Sequence, residues 1–104
     1  MHLYGVLLKA IEESKLTITT VLSGGARGVD SLGEKWAEHR KLSLERYPAD
    51  WASYGLAAGP LRNQAMVDKA EQALLVWNGF SSGTRDLLQR VQRKGLPVFV
   101  FYYD

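Results

Sequence analysis

A glycine-rich segment between a predicted strand and a predicted helix is the first place in this sequence where chemistry could occur. Residues 23–30 read Ser-Gly-Gly-Ala-Arg-Gly-Val-Asp. Glycine lets the backbone approach a ligand closely, and the amino end of the following helix favours a phosphate group. Arg27 could hold that phosphate through two hydrogen bonds, and Asp30 could cap the helix or accept a ribose hydroxyl. The candidate glycines are Gly24, Gly25 and Gly28.

The same segment also fits a tight strand-to-helix turn with an incidental arginine. Its spacing is not that of the G-x-G-x-x-G dinucleotide fingerprint, and it lacks the lysine of a P-loop. The pattern by itself therefore leaves a phosphate site and a plain turn both open.

A second strand-to-helix junction favours the ligand site. Residues 77–84 read Trp-Asn-Gly-Phe-Ser-Ser-Gly-Thr. Gly83 supplies backbone access, and hydroxyls come from Ser81, Ser82 and Thr84. The alternative for Ser82 and Thr84 is that they cap the helix. In a parallel sheet the strand-to-helix junctions all lie at the carboxyl edge, which is where open α/β sheets bind ligands. Two glycine-rich junctions facing one crevice predict a nucleotide site better than either does alone.

Two further segments reach the same predicted edge. Trp51 follows a predicted strand closely and could stack on a base, or pack as a lid or core residue. Arg62 and Asn63 fall in the first turn of a helix that a Gly-Pro pair begins. Their side chains could reach into the crevice, or they could form a solvated helix start.

Alternating strands and helices must position these residues. Short apolar runs predict strands at 17–22, 42–47, 73–77 and 97–102, and apolar residues at helical spacing precede and separate them. This order predicts an α/β fold, a Rossmann-like and mostly parallel sheet of about four strands with helices on both faces. The alternative is a mixed α+β domain with an antiparallel edge. A length of 104 residues predicts a single domain spanning residues 1–104.

Composition excludes several classes of protein. Hydrophobic residues make up 46% and charged residues 23%, which is enough apolar content for a core. The sequence has no cysteine, and its two histidines, His2 and His39, predict no metal cluster. No apolar run approaches the ~20 residues of a membrane helix, and no signal peptide is evident, so the expected location is the cytoplasm. A net charge of +2 is weak evidence for nucleic-acid binding.

Four motifs together resemble the YspA-related branch of the SLOG superfamily, over about residues 15–103. They are Ser-Gly-Gly-Ala-Arg-Gly-Val-Asp, Pro-Ala-Asp-Trp, Ala-Gly-Pro-Leu-Arg-Asn and Ser-Gly-Thr, in that order. The resemblance implies a Rossmann-like fold and a nucleotide-derived ligand. It also implies two phosphate-facing loops, of which the second would contain Gly83 and Thr84. The first would contain Gly24, Gly25, Arg27, Gly28 and Asp30.

Two departures from that superfamily limit what the resemblance implies. Its LOG phosphoribohydrolases carry a catalytic glutamate where this chain has Leu87, and Asp86 would point about 100° away on a helix. The LOG reaction is therefore not expected. Members also begin with a strand before the first helix, whereas this sequence starts within that helix. The sheet is then either contracted or completed by another segment or chain.

The function that best fits these observations is binding of a nucleotide or nucleotide-derived ligand, for sensing or processing. Two alternatives remain: a nucleotide or phosphoribosyl hydrolase using Asp30, Asp50 or Asp86, and a single-stranded DNA-binding module like the DNA-processing proteins. The DNA-binding alternative depends on one basic helix, with Arg85, Arg90, Arg93 and Lys94.

Expected partners are a nucleotide-type small molecule and further copies of the same chain. No cofactor, metal or membrane is expected. The first helix is apolar around more of its circumference than one sheet face covers, which predicts a homo-oligomer with that helix in the interface.

Overall fold

Helices and strands alternate along the described chain, except that three helical segments follow one another between β2 and β3. The computed structural model describes residues 3–24 and 29–103. The elements in chain order are α1 (Leu3–Ser14), β1 (Thr20–Ser23), α2 (Val29–His39), β2 (Ser43–Arg46), α3 (Trp51–Tyr54), a 3₁₀ turn (Gly55–Ala57), α4 (Ala58–Lys69), β3 (Ala73–Trp77), α5 (Ser82–Lys94) and β4 (Val98–Tyr102).

The strands pair in parallel, which confirms the predicted α/β class. β1 pairs with β2, with Thr20 opposite Ser43, and β3 pairs with β4, with Ala73 opposite Val98. Within the described residues these pairs form two separate two-stranded sheets instead of one continuous sheet. Each described strand therefore pairs along only one edge.

Two helical layers cover the strands, as the apolar runs predicted. α1 packs on α2, and α4 packs on α5. Val76 of β3 belongs to the main core cluster with Leu7 of α1 and Trp36 of α2. Because side chains alternate along a strand, the buried Leu75 and Trp77 point to the opposite face, on which α5 packs.

A polar cluster fixes the carboxyl end of β1 against its neighbours. The hydroxyl of the buried Ser23 donates to Glu34 Oε2 at 2.7 Å, and Arg46 Nε donates to Glu34 Oε1 at 2.8 Å. The hydrogen bond from Ser23 and then that from Arg46 hold the pKa of Glu34 below its ordinary value. One carboxylate on α2 thus ties together the ends of β1 and β2, directly beside Gly24.

The helices are short. Across residues 3–24 and 29–103 none combines the length and apolar character that a membrane crossing requires.

Candidate functional site

A cavity of about 270 Å³ lies at the carboxyl end of β3. Its polar residues come from the start of α2, the second turn of α4, the first turn of α5 and the loop after β3. The second glycine-rich junction lines this cavity directly, whereas the first contributes Asp30, and its residues 25–28 fall outside the described residues. The polar or glycine residues that line the cavity are Asp30, Arg62, Asn63, Asn78, Ser81, Gly83 and Thr84.

Arg62 connects α4 to the loop that follows β1. Its Nη1 donates to the carbonyl oxygen of Gly24 at 2.6 Å, and its Nε donates to Asn63 Oδ1 at 3.0 Å. The Asp30 carboxylate lies on the same side of Gly24, since its Oδ2 is 3.0 Å from the position a Cβ would take there. A cation and an anion therefore flank one buried glycine at the edge of the cavity.

Asn63 is a buried polar residue, with 5% of its surface exposed. Its Nδ2 donates to the Gly83 carbonyl at 3.1 Å and to Asp86 Oδ2 at 3.0 Å, while its Oδ1 accepts from Arg62. The side chain therefore uses both its donor and its acceptor atoms. Because α4 begins at Ala58, Asn63 lies in its second turn and not in the first turn as predicted, and it joins that turn to the start of α5.

Asp86 continues this network along α5. Arg90 Nε donates to Asp86 Oδ2 at 2.8 Å, and Arg90 Nη1 donates to Gln64 Oε1 at 3.0 Å. The hydrogen bond from Arg90, followed by that from Asn63, lowers the pKa of Asp86. Asp86 is consequently an anion that orders the site, and its lowered pKa is the opposite of what a general acid near neutral pH requires.

We predict that Asp86 makes the stability of the protein depend on pH in the acid range. Its pKa is lower in the folded state, so its stabilisation is complete above about pH 4 and is lost as the pH falls through the folded value. In Asp86→Asn and in Arg90→Gln the free energy of unfolding should fall less steeply as the pH is lowered. Urea unfolding at pH 7 and at a series of lower pH values measures this dependence. If both variants kept the acid dependence of the unmodified protein, the prediction would be contradicted.

Short-range hydrogen bonds shape the loop between β3 and α5. Asn78 Oδ1 accepts from the backbone N–H of Phe80 at 2.8 Å and of Ser81 at 3.0 Å. Ser81 caps α5, because its Oγ accepts from the Thr84 N–H at 3.4 Å. The amino end of α5 is thereby held facing the cavity.

The structure brings together most of the described residues that the sequence singled out. Asp30, Arg62, Asn63, Gly83 and Thr84 line the cavity, and Gly24 lies beside Arg62. The other described candidates lie outside the lining. Trp51 is 56% exposed, with its ring beside Gly59, and Ser82 is exposed next to the capping Ser81. The predicted residues Gly25, Arg27 and Gly28 fall outside the described residues.

Sequence reasoning missed how the site is held in shape. Ser81 was expected to supply a hydroxyl; in the structure it lines the cavity and also caps α5, and Asn78 was given no role. Both are polar residues after a strand, a position typical of turn formers, and that signal could have assigned them. The link from Arg62 to Gly24 spans 38 positions, and the link from Asn63 to Asp86 spans 23, so no local pattern could reveal either.

The alternative functions receive little support from side-chain geometry. Asp50 caps α3 by accepting from the Ser53 N–H at 3.1 Å, and Asp86 is bound to Arg90. On the basic helix, Lys94 Nζ donates to the carbonyls of Val67 and Asp68 at the end of α4. Two of the helix's four cations thus have structural partners. Among the described residues no three histidine, cysteine or acidic side chains cluster as metal ligands.

The sequence is similar to known proteins. A family model described as "YspA, cpYpsA-related SLOG family" matches residues 2–54. The "Gene 61 protein" of Mycobacterium phage D29 is 38% identical over 87 residues, which cover 78% of this chain and 70% of that protein. No solved structure gives a significant match.

Proposed function

Because the chain belongs to the YspA, cpYpsA-related SLOG family, we propose that it binds a nucleotide or nucleotide-derived ligand in the cavity at the carboxyl edge. The observation that carries the proposal is the convergence of Arg62, Asp30 and the amino end of α5 on one cavity. A cation and a helix amino end attract phosphate, and a carboxylate accepts ribose hydroxyls.

The cavity favours a small member of this ligand class. Its volume of about 270 Å³ is close to the lower limit of ~300 Å³ for ligand pockets. A mononucleotide therefore suits it better than a dinucleotide. Leu87, Met66 and Tyr103 supply apolar surface beside the polar groups, as base or ribose binding requires.

Thermal shift and calorimetric titration test the proposal with AMP, ADP, ADP-ribose and NAD. A ligand at about 100 times its Kd stabilises the folded protein by ~2.7 kcal/mol, which raises Tm by several degrees. Arg62→Gln should weaken binding by about tenfold or more, because a hydrogen bond to a charged group contributes ~1.5–3 kcal/mol. Lys9→Gln removes the same charge from an exposed site on α1 and is the matched control.

Other outcomes separate the alternatives. Absence of a shift with every nucleotide at millimolar concentration would contradict the proposal. Binding of a single-stranded oligonucleotide that weakens steeply with salt, with no effect of mononucleotides, would favour DNA binding instead. Release of free base from AMP, followed by chromatography, would assign hydrolysis. We expect none, since Leu87 lines the cavity where the related hydrolases have a glutamate.

We also propose that the chain forms a homo-oligomer through α1. Leu8 is 42% exposed on this helix although Val6, Leu7 and Ala10 are buried. Light scattering after size exclusion should give a mass above that of one chain at micromolar concentration, and Leu8→Glu should shift it towards one chain. A single-chain mass for the unmodified protein would contradict this proposal.

A further inference from the structure

The cavity at the carboxyl end of β3 has charged residues on one side and aromatic residues on the other. Asp30 and Arg62 line it beside Gly24, the residue that follows β1. Trp77, the last residue of β3, and Tyr103, which follows β4, also line it. The cavity therefore joins a charged end to an aromatic end.

The order of the strands keeps these two ends apart. A second cavity of about 400 Å³ separates the two half-sheets, β1–β2 and β3–β4, and residues of β1 and β3 line it. β3 thus faces β1 on one side and pairs with β4 on the other. The charged pair lies on the β1 side of β3, whereas Tyr103 lies on the β4 side.

Phe80 adds an exposed ring to the aromatic end. Its surface is 86% exposed, and it lies in the loop after β3 between Asn78 and Ser81, which both line the cavity. The loop backbone is held in place, because Asn78 Oδ1 accepts from the Phe80 N–H at 2.8 Å and Trp77 Nε1 donates to the Ser81 carbonyl at 3.1 Å. A ring on a fixed backbone loses little conformational freedom when a ligand covers it.

A nucleotide shows the same change along its length, from a charged phosphate through the ribose to a flat aromatic base. We propose that the nucleotide lies across the end of β3, with its phosphate and ribose towards Arg62 and Asp30 and its base stacked on Phe80. This inference rests on the proposed function, and it narrows the ligand to one that carries a base, as opposed to a sugar phosphate. Loss of an aromatic platform typically weakens base binding by about 5- to 150-fold.

Calorimetric titration with AMP and with ribose 5-phosphate tests this orientation. Phe80→Ala should weaken AMP binding about tenfold and leave ribose 5-phosphate binding unchanged, because only AMP has a base to stack. Arg62→Gln should weaken both ligands, since both carry the phosphate. Phe80→Trp keeps an aromatic face and should retain the affinity for AMP. As Phe80 is exposed, none of its variants should change the Tm of the free protein.

Leu56→Ala is the matched control, because it truncates a side chain that is 92% exposed and lies outside the cavity lining. It should change neither affinity. Equal AMP affinity in Phe80→Ala and the unmodified protein would overturn the orientation and leave the proposed function standing. An equal loss for both ligands would also overturn it, because Phe80 would then act on the shape of the site. Absence of AMP binding by the unmodified protein would contradict the proposed function itself, and the orientation with it.

Discussion

Asn63→Asp is expected to destabilise the protein by about 3 kcal/mol at neutral pH, since it places a carboxylate where the structure needs a donor. Asn63 Nδ2 donates to the Gly83 carbonyl and to Asp86 Oδ2 at a site that is 5% exposed. An aspartate at position 63 would place a carboxylate oxygen, which cannot donate, against the Gly83 carbonyl oxygen and Asp86 Oδ2. The hydrogen bond that Arg62 Nε donates to the side chain at position 63 is kept, but it offsets only part of this repulsion.

The loss of stability in Asn63→Asp should grow as the pH rises. The new carboxylate would be buried beside the partly exposed Asp86 carboxylate, and two carboxylates this close do not readily ionise together. One pKa of the pair in the folded variant therefore rises above the ordinary value near 4. The penalty is therefore smallest below about pH 4, where the new carboxyl is protonated and can donate, and it grows as the pH rises. Urea unfolding between pH 4 and pH 7 measures this dependence.

Asn78→Asp provides the matched control. Asn78 Oδ1 accepts from the N–H groups of Phe80 and Ser81, a role that a carboxylate also fills. The same chemical change at this exposed position should alter stability by less than about 0.5 kcal/mol. Equal effects at the two positions, or a loss at position 63 that is independent of pH, would contradict the account of the network.

The elements themselves could be predicted because their signals are local. The strand at 73–77 was predicted with the bounds that the structure has, and the prediction for the last strand began one residue early. Each is a continuous apolar run. The first strand was predicted at 17–22 but forms at Thr20–Ser23, because propensity alone does not mark where pairing with β2 begins.

The division into two half-sheets could not be predicted from local pattern. β1 and β3 are separated by about 50 residues, and no local sequence pattern shows whether strands so far apart will pair. The same holds for the site. The glycine-rich junctions indicated which edge to examine, but the partners of Arg62 and Asn63 come from other elements. Long-range hydrogen bonds leave no periodic trace in a sequence.

Four cations on α5 gave the sequence its weak support for nucleic-acid binding. In the structure Arg90 Nη1 donates to Gln64 of α4, and Lys94 Nζ donates to carbonyls at the end of α4. Arg85 lies over the Trp77 ring, with its Cζ 5.8 Å from the ring centroid. These contacts help to hold α5 against α4 and β3, and binding of nucleic acid by this helix stays a prediction.

Gly24→Ala should weaken ligand binding while destabilising the fold only slightly. A Cβ at position 24 would collide with the Arg62 guanidinium, coming within 2.8 Å of its Cζ, and would lie 3.0 Å from Asp30 Oδ2. The guanidinium is the flexible end of a long side chain and can move away, so we expect a stability loss of only about 1 kcal/mol. Its displacement breaks the bond to the Gly24 carbonyl and moves the proposed phosphate contact, which should weaken AMP binding about as much as Arg62→Gln does.

Gly33→Ala is the control for this substitution. A Cβ at position 33 meets nothing within 4 Å, and the residue lies inside α2. Alanine there should stabilise the protein by ~0.5–1 kcal/mol through helix propensity and leave binding unchanged. Because Gly24→Ala and Arg62→Gln act through the same guanidinium, their effects on Kd should not add in the double variant. Full additivity, measured by calorimetric titration of all four forms, would show that the two residues act independently and would contradict the contact between them.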